Sequence, residues 1–143
     1  MCANFSQVTG DRLSHMDLND AKVWDRWLKK HLEEKFWCEY DVPCGRGRQA
    51  VDVMGPVERA LWQTLTVKRA DVVVHWATMD WVVEVKPRVC MSGLGQVLSY
   101  LHLYRLDHPP IGRSVAWLVA GEDDPELRPV FQNAGVSVEV VEE

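Results

Sequence analysis

The chain has 143 residues, 47% of them hydrophobic and 26% charged, with seven Trp and a formal net charge of −5. A chain of this length buries about 68–70% of the surface its unfolded form exposes, so a single globular domain over residues 1–143 needs neither disulfides nor a structural metal. The aromatic and β-branched content argues against disorder, and no apolar run nears the roughly 20 residues of a membrane-spanning helix.

Residues 1–17 are polar, with no basic segment leading into an apolar stretch, which argues against a secretory leader and for a cytoplasmic protein with no membrane partner. Cys2, Cys38, Cys44 and Cys90 form no C-x-x-C pair and no Cys/His cluster, so idle reduced thiols are expected. The charge is uneven: residues 121–143 hold seven acidic residues and one Arg, and the remaining 120 residues sum to +1. A basic working face is therefore compatible with the acidic total.

Residues 18–35 place Trp24, Trp27, Leu28, His31 and Leu32 at spacings of three and four, which predicts an amphipathic helix capped by Asp17 or Asn19. On that wheel Glu34 lies at the rim of the apolar stripe and Glu33 opposite it, and His31 reads as a packed residue. Residues 36–42 alternate as a strand, ended by Pro43 and the loop Cys44-Gly45-Arg46-Gly47-Arg48. Residues 49–66 read as an insert with a short helix over 57–65 after Gly55-Pro56. Two strand-like runs, 67–76 and 81–86, predict a β-hairpin around Thr78-Met79. A helix over 93–106 follows, with Leu94, Val97, Leu98 and Leu101 on one stripe. A buried strand over 114–120, a helix over 124–133 closed by Gly135 and a strand over 136–141 complete the chain. The order predicts a mixed α/β (α+β) fold, a mixed central sheet flanked by helices on both faces.

Residues i and i+2 of a strand share a face, so Glu84 and Lys86 point together, and the expected hairpin sets Asp71 across from Lys86 and diagonal to Glu84. A cross-strand ion pair on a solvated face is one reading of this patch; two carboxylates holding Mg²⁺ beside a Lys is the other. The second strand, Trp81-Val82-Val83-Glu84-Val85-Lys86, is apolar except at its end, which fits a cleft better than an open surface. Asp52, in the insert, is a rival first carboxylate. Arg46, Arg48, Lys68, Arg69 and Arg88 form short basic clusters suited to phosphate contacts, and Trp62, Trp76 and Trp81 read as core. His75, His102 and His108 have no metal-ligand spacing and receive no role.

The pieces Arg69-Ala70-Asp71, Glu84-Val85-Lys86, Gly95-Gln96 and Tyr100, in that order, resemble the PD-(D/E)xK phosphodiesterase superfamily of restriction-enzyme-like and Holliday-junction-resolvase-like nucleases. The resemblance covers roughly residues 20–120, and the αβββαβ order agrees with that family's core; Ala70 stands where the family has Pro. It implies that Asp71 and Glu84 are metal ligands with the Val85 carbonyl as a third. It further implies that Lys86 assists the attacking water, that Gln96 reaches the site, and that Glu34 is the acidic residue some branches carry on the first helix. The expected function is a Mg²⁺-dependent DNA endonuclease, with Mn²⁺ able to substitute, acting as a two-fold homodimer: a resolvase, a homing or phage-type nuclease, or a nickase. The rival expectations are a non-catalytic DNA-binding or assembly module that keeps the fold and, less strongly, an enzyme acting on RNA.

Overall fold

The computed structural model describes residues 16–143. The expectation of no secretory leader and the thiol of Cys2 fall on residues 1–15 and so lie outside the described residues.

Helix α1 (Leu18–Lys30) starts where the Asp17 carboxylate accepts the Asn19 N–H at 2.8 Å, satisfying one of the donors a helix N-terminus leaves open. Its stripe buries Val23, Trp24, Trp27 and Leu28, and the Trp24 and Trp27 rings stack at 4.6 Å. The helix stops at Lys30, five residues before the expected end: Leu32 is exposed, and the His31 N–H closes the last turn onto the Leu28 and Trp27 carbonyls. His31 is a half-buried bridge rather than a core residue. It stacks on Trp27 at 4.1 Å, and its ring nitrogens meet Glu34 at 2.9 Å and Glu139 at 2.8 Å.

Strands β1 (Trp37–Cys44), β2 (Lys68–His75), β3 (Asp80–Arg88), β4 (Ser114–Glu122) and β5 (Ser137–Val140) form one sheet in chain order. The first three run antiparallel as a meander, whereas β3–β4 and β4–β5 are parallel. Parallel neighbours need a crossover. Helix α3 (Met91–Asp107) supplies the first and helix α4 (Arg128–Asn133) the second. Alternation along the strands divides the core into two layers. Val72, Val74, Val83, Val85 and Val119 face α1, and Val73, Val82, Ala116 and Leu118 face Val97, Leu101 and Tyr104 of α3. The expected mixed α/β architecture is the one observed.

β1 and β3 run on through Pro43 and Pro87, and three further features differ from the sequence reading. α4 begins at Arg128 rather than 124, because the Asp124 carboxylate takes the Glu126 and Leu127 N–H groups in a turn before Pro129 enters the first helical turn. Helix α2 (Pro56–Thr66) forms in the insert but buries none of its residues, leaving Val57, Leu61 and Leu65 exposed. The hairpin turns on Ala77-Thr78, not Thr78-Met79, with His75 paired to Asp80 and the Trp76 N–H on the Met79 carbonyl at 2.9 Å. This register is two residues from the expected one. A two-residue shift leaves every side chain on the same face, so hydrophobic alternation cannot detect it. Side chains pin the observed register: His75 Nδ1 meets Asp80 Oδ1 at 2.8 Å, and the Tyr104 hydroxyl donates to Asp80 Oδ2 at 2.9 Å.

Among the described residues no helix is long and apolar enough to cross a membrane. Among the described residues Cys38, Cys44 and Cys90 are free thiols, and burial pushes Cys38 up to about 12.

Candidate functional site

The β2–β3 ladder ends at Val72 and Val83, while β2 stays paired with β1 through Ala70, Arg69 and Lys68. Asp71 and Glu84, next in register, therefore stand side by side where the two strands part. The expected Asp71–Lys86 facing pair is corrected by this register, since Lys86 lies two residues beyond the carboxylate pair. Asp71 spans the fork itself, its Oδ2 accepting the Val85 N–H at 2.9 Å. Opposite it on β1, Asp41 sits in the left-handed region with φ 52°, a conformation Asp tolerates better than most residues, and holds Arg69 through its carbonyl and carboxylate at 3.2 and 3.4 Å.

Glu84 is 2% exposed. Its Oε1 takes the Lys86 ammonium at 3.0 Å, and its Oε2 is buried with no hydrogen-bond partner among the described residues. Burial is the main reason its carboxyl is raised to about 8, with Asp71 adding repulsion and Lys86 opposing. Asp71 is raised to about 6, again mainly by burial, against the pull of the Val85 N–H and Lys86. Burial works against the charge of Lys86, but Glu84 and then Asp71 outweigh it and raise its pKa. The ammonium thus stays charged while two carboxyls beside it resist ionisation.

A third carboxylate acts on them electrostatically from α1. Asp20, in the first helical turn, interacts electrostatically with Lys86, Asp71 and Glu84, and burial raises its own pKa. Sequence reasoning sought this residue at the other end of the helix. Glu34 is not brought to the site: it follows the end of α1, half-exposed and bonded to His31. The signal for Asp20 was available, since Asp20, Trp24 and Trp27 recur at spacings of four and three on one helical stripe. A carboxylate on a buried stripe needs a reason to be there.

Helix α3 supplies the other wall. Gly93 lets it approach the sheet closely, since a Cβ there would meet Leu118 Cδ1 at 3.1 Å and Lys86 Cγ at 3.4 Å. Two turns of α3 present Gln96 and Tyr100. Burial raises the Tyr100 hydroxyl, with Glu84 contributing and Gln96 opposing. Gln96 Oε1 is buried with no partner among the described residues. Both residues line a groove of about 420 Å³ with Lys68, Ser92, Gly95 and Ser99.

The expected phosphate contacts are divided by the fold. Lys68 lies in that groove, and Arg69 is tied to Asp41. Arg88, exposed beyond Lys86, is paired with Glu122 at 2.9 Å. Arg46 and Arg48 are exposed in the loop before α2, where the Arg48 N–H meets Thr66 Oγ1 at 2.6 Å. Asp52, the rival carboxylate, is in the exposed turn before α2, and its carbonyl is held by Arg59 at 3.1 Å. Among the described residues no three His, Cys, Asp or Glu side chains form a ready-made metal-binding group.

No protein-family model matches the chain, and no curated protein matches it. Among solved structures it is similar to a crystal structure described as a protein of unknown function, AF1548, with a TM-score of 0.53 and 11% identity over 85% of this chain. The chain spans 57% of the length of that protein, and the likeness concerns the fold alone.

Proposed function

We propose that the chain is a metal-dependent DNA endonuclease of the PD-(D/E)xK type, hydrolysing phosphodiester bonds without a covalent enzyme intermediate. The observation that carries this reading is the meeting of Asp71, Glu84 and Lys86 at the β2–β3 fork, with Asp20 added from α1. The donor set fits Mg²⁺ or Mn²⁺: hard carboxylate oxygens, one of them buried without a partner among the described residues, on two carboxyls that burial raises and a bound cation would lower. Asp71 and Glu84 would hold the ion, with the Val85 carbonyl as the third protein ligand that the family pattern implies. When bound, such an ion lowers the pKa of water and polarises a phosphate oxygen.

The chain's own residues would do the rest. Lys86, kept charged beside Glu84, places an ammonium where negative charge develops on the attacked phosphate. Lys68 and Ser92 line the groove along α3 in which the strand would run, and Gln96 orients its amide beside them. Cleavage of both strands requires two sites, so a two-fold homodimer belongs to the same proposal.

A second reading is supported by the Glu84–Lys86 contact at 3.0 Å, which occupies half the site with an internal hydrogen bond: a non-catalytic DNA-binding or assembly module on the same fold. Cleavage of supercoiled plasmid and of a synthetic four-way junction with Mg²⁺, Mn²⁺ or EDTA, comparing wild type with Lys86→Ala, separates the two. Metal-dependent product from wild type alone supports the nuclease. Salt-dependent binding with no product in any metal supports the module.

A further inference from the structure

At the other end of the hairpin, His75 and Asp80 share a face with Asp71 and Glu84 but lie four residues away along each strand, about 13 Å at the rise of a β-strand. A cleft of about 430 Å³ opens there, within the size range of ligand sites. Its walls are aromatic: Phe36 packs on Trp76 at 5.1 Å, and the Trp37 ring stacks on the His75 imidazole at 3.9 Å while remaining 51% exposed. His75 is a fixed backing for that ring, because Asp80 holds Nδ1 at 2.8 Å and Glu39 holds Nε2 at 2.7 Å, with Asp80 anchored in turn by Tyr104. Two exposed cations, Lys35 and Arg113, come to the same cleft from either side of the sheet end.

One polar group there is unaccounted for. Trp76 lines the cleft, and its Nε1–H is buried without a hydrogen-bond partner among the described residues. Packed between Phe36 at 5.1 Å and Trp81 at 4.7 Å, Trp76 offers the cleft its ring and not this donor. A pre-set aromatic platform and two cations describe a planar heterocycle that carries an anionic group.

We propose that this cleft binds a nucleobase together with its phosphate. The base stacks on the open face of Trp37, and Lys35 and Arg113 meet the phosphate. The source is either a free mononucleotide or an unpaired nucleotide of a strand that also crosses the Asp71–Glu84 fork. Only the second source rests on the nuclease reading; the pocket itself does not.

The test uses the full chain, ¹⁵N-labelled and without metal, titrated with AMP, a ten-nucleotide single strand, a blunt duplex of the same sequence and inorganic phosphate. The Trp37 and Trp76 indole N–H resonances are followed. Expected are saturable shifts of both with the single strand and with AMP, none with the blunt duplex, and at least a tenfold loss of affinity in Trp37→Ala. Arg113→Ala, which leaves the aromatic platform intact, is expected to weaken AMP but not adenosine. Binding of AMP without the strand assigns the cleft to free nucleotides; binding of both assigns it to unpaired nucleic acid. No indole shift with either, a Trp37→Ala protein that binds unchanged, or phosphate producing the same shifts as AMP would overturn the proposal. Absent cleavage with retained indole shifts would sink the nuclease reading and leave this one standing.

Discussion

The Asp71 carboxylate accepts the Val85 backbone N–H at 2.9 Å, so a side chain carries on the cross-strand bonding that the β2–β3 ladder gives up at Val72 and Val83. On the proposed function Asp71 would add metal binding to this structural bond, and substitution separates the two.

Asp71→Asn keeps an acceptor for the Val85 N–H but removes the charge. Thermal melts are expected to change little, and metal-dependent cleavage is expected to drop by at least about a hundredfold, the scale of losing one electrostatic group from a catalytic site. Asp71→Ala should lose both stability and cleavage. An Asn variant that cuts at the wild-type rate removes Asp71 from the site.

The raised carboxyls set the sign of the pH dependence. Glu84 moves from its ordinary 4.5 to about 8, so between those values the folded chain holds a proton the unfolded chain has lost. Its stabilising contribution is complete below about 4.5 and lost as pH rises through about 8. Metal-free protein is therefore expected to melt at lower temperature at pH 8 than at pH 5, with Glu84→Gln flattening the trend and Mg²⁺ raising the Tm most at pH 8. A scan of Tm against pH checks this, and a Tm that climbs between pH 5 and 8 contradicts it.

Among the basic residues, Lys68 faces the α3 groove while Arg88 is already paired with Glu122. Lys68→Ala is expected to weaken DNA binding at all sequences and to reduce the slope of log affinity against log salt by about 1. Arg88→Ala should change the slope less. Fluorescence anisotropy over a salt series measures both, and a larger effect from Arg88 would reverse the assignment.

Glu139 ties α1 to β5. Its carboxylate accepts from Trp27 Nε1 at 2.8 Å, Lys30 at 3.0 Å and His31 at 2.8 Å; burial opposes its charge, but these bonds outweigh it and lower its pKa. Glu139→Ala leaves the Trp27 donor without its acceptor and is expected to cost about 1–3 kcal/mol in urea unfolding. The wild-type contribution is present above the ordinary carboxylate range and lost below it, a window that does not overlap that of Glu84.

Gly121 marks where β4 passes the end of β3. A Cβ there would lie 2.8 Å from the Pro87 carbonyl and 2.8 Å from an Arg26 guanidinium nitrogen, and the carbonyl cannot swing aside as a flexible side chain can. Gly121→Ala is expected to destabilise by about 1–3 kcal/mol. Because Pro87 adjoins Lys86, cleavage should fall as well; calorimetry and the plasmid assay read the two effects.

The sequence by itself determined the order of elements, the two faces of the hairpin and the grouping of Asp71, Glu84 and Lys86 on one of them, because periods of 3.6 and 2 are local properties that burial enforces. Register was beyond its reach. A shift of two residues preserves both faces, and the choice fell to His75, Asp80 and Tyr104, which meet only after α3 has crossed the sheet. Tertiary structure also brought Asp20 within electrostatic reach of Asp71, left Glu34 with His31 and set Asp41 opposite Asp71, since distances between α1, β1 and β3 depend on how the layers dock and not on spacing along the chain. The aromatic cleft at the hairpin end was hidden for the same reason: Phe36, Trp76 and Arg113 belong to three separate segments, and only the closing of the sheet end brings them to one place.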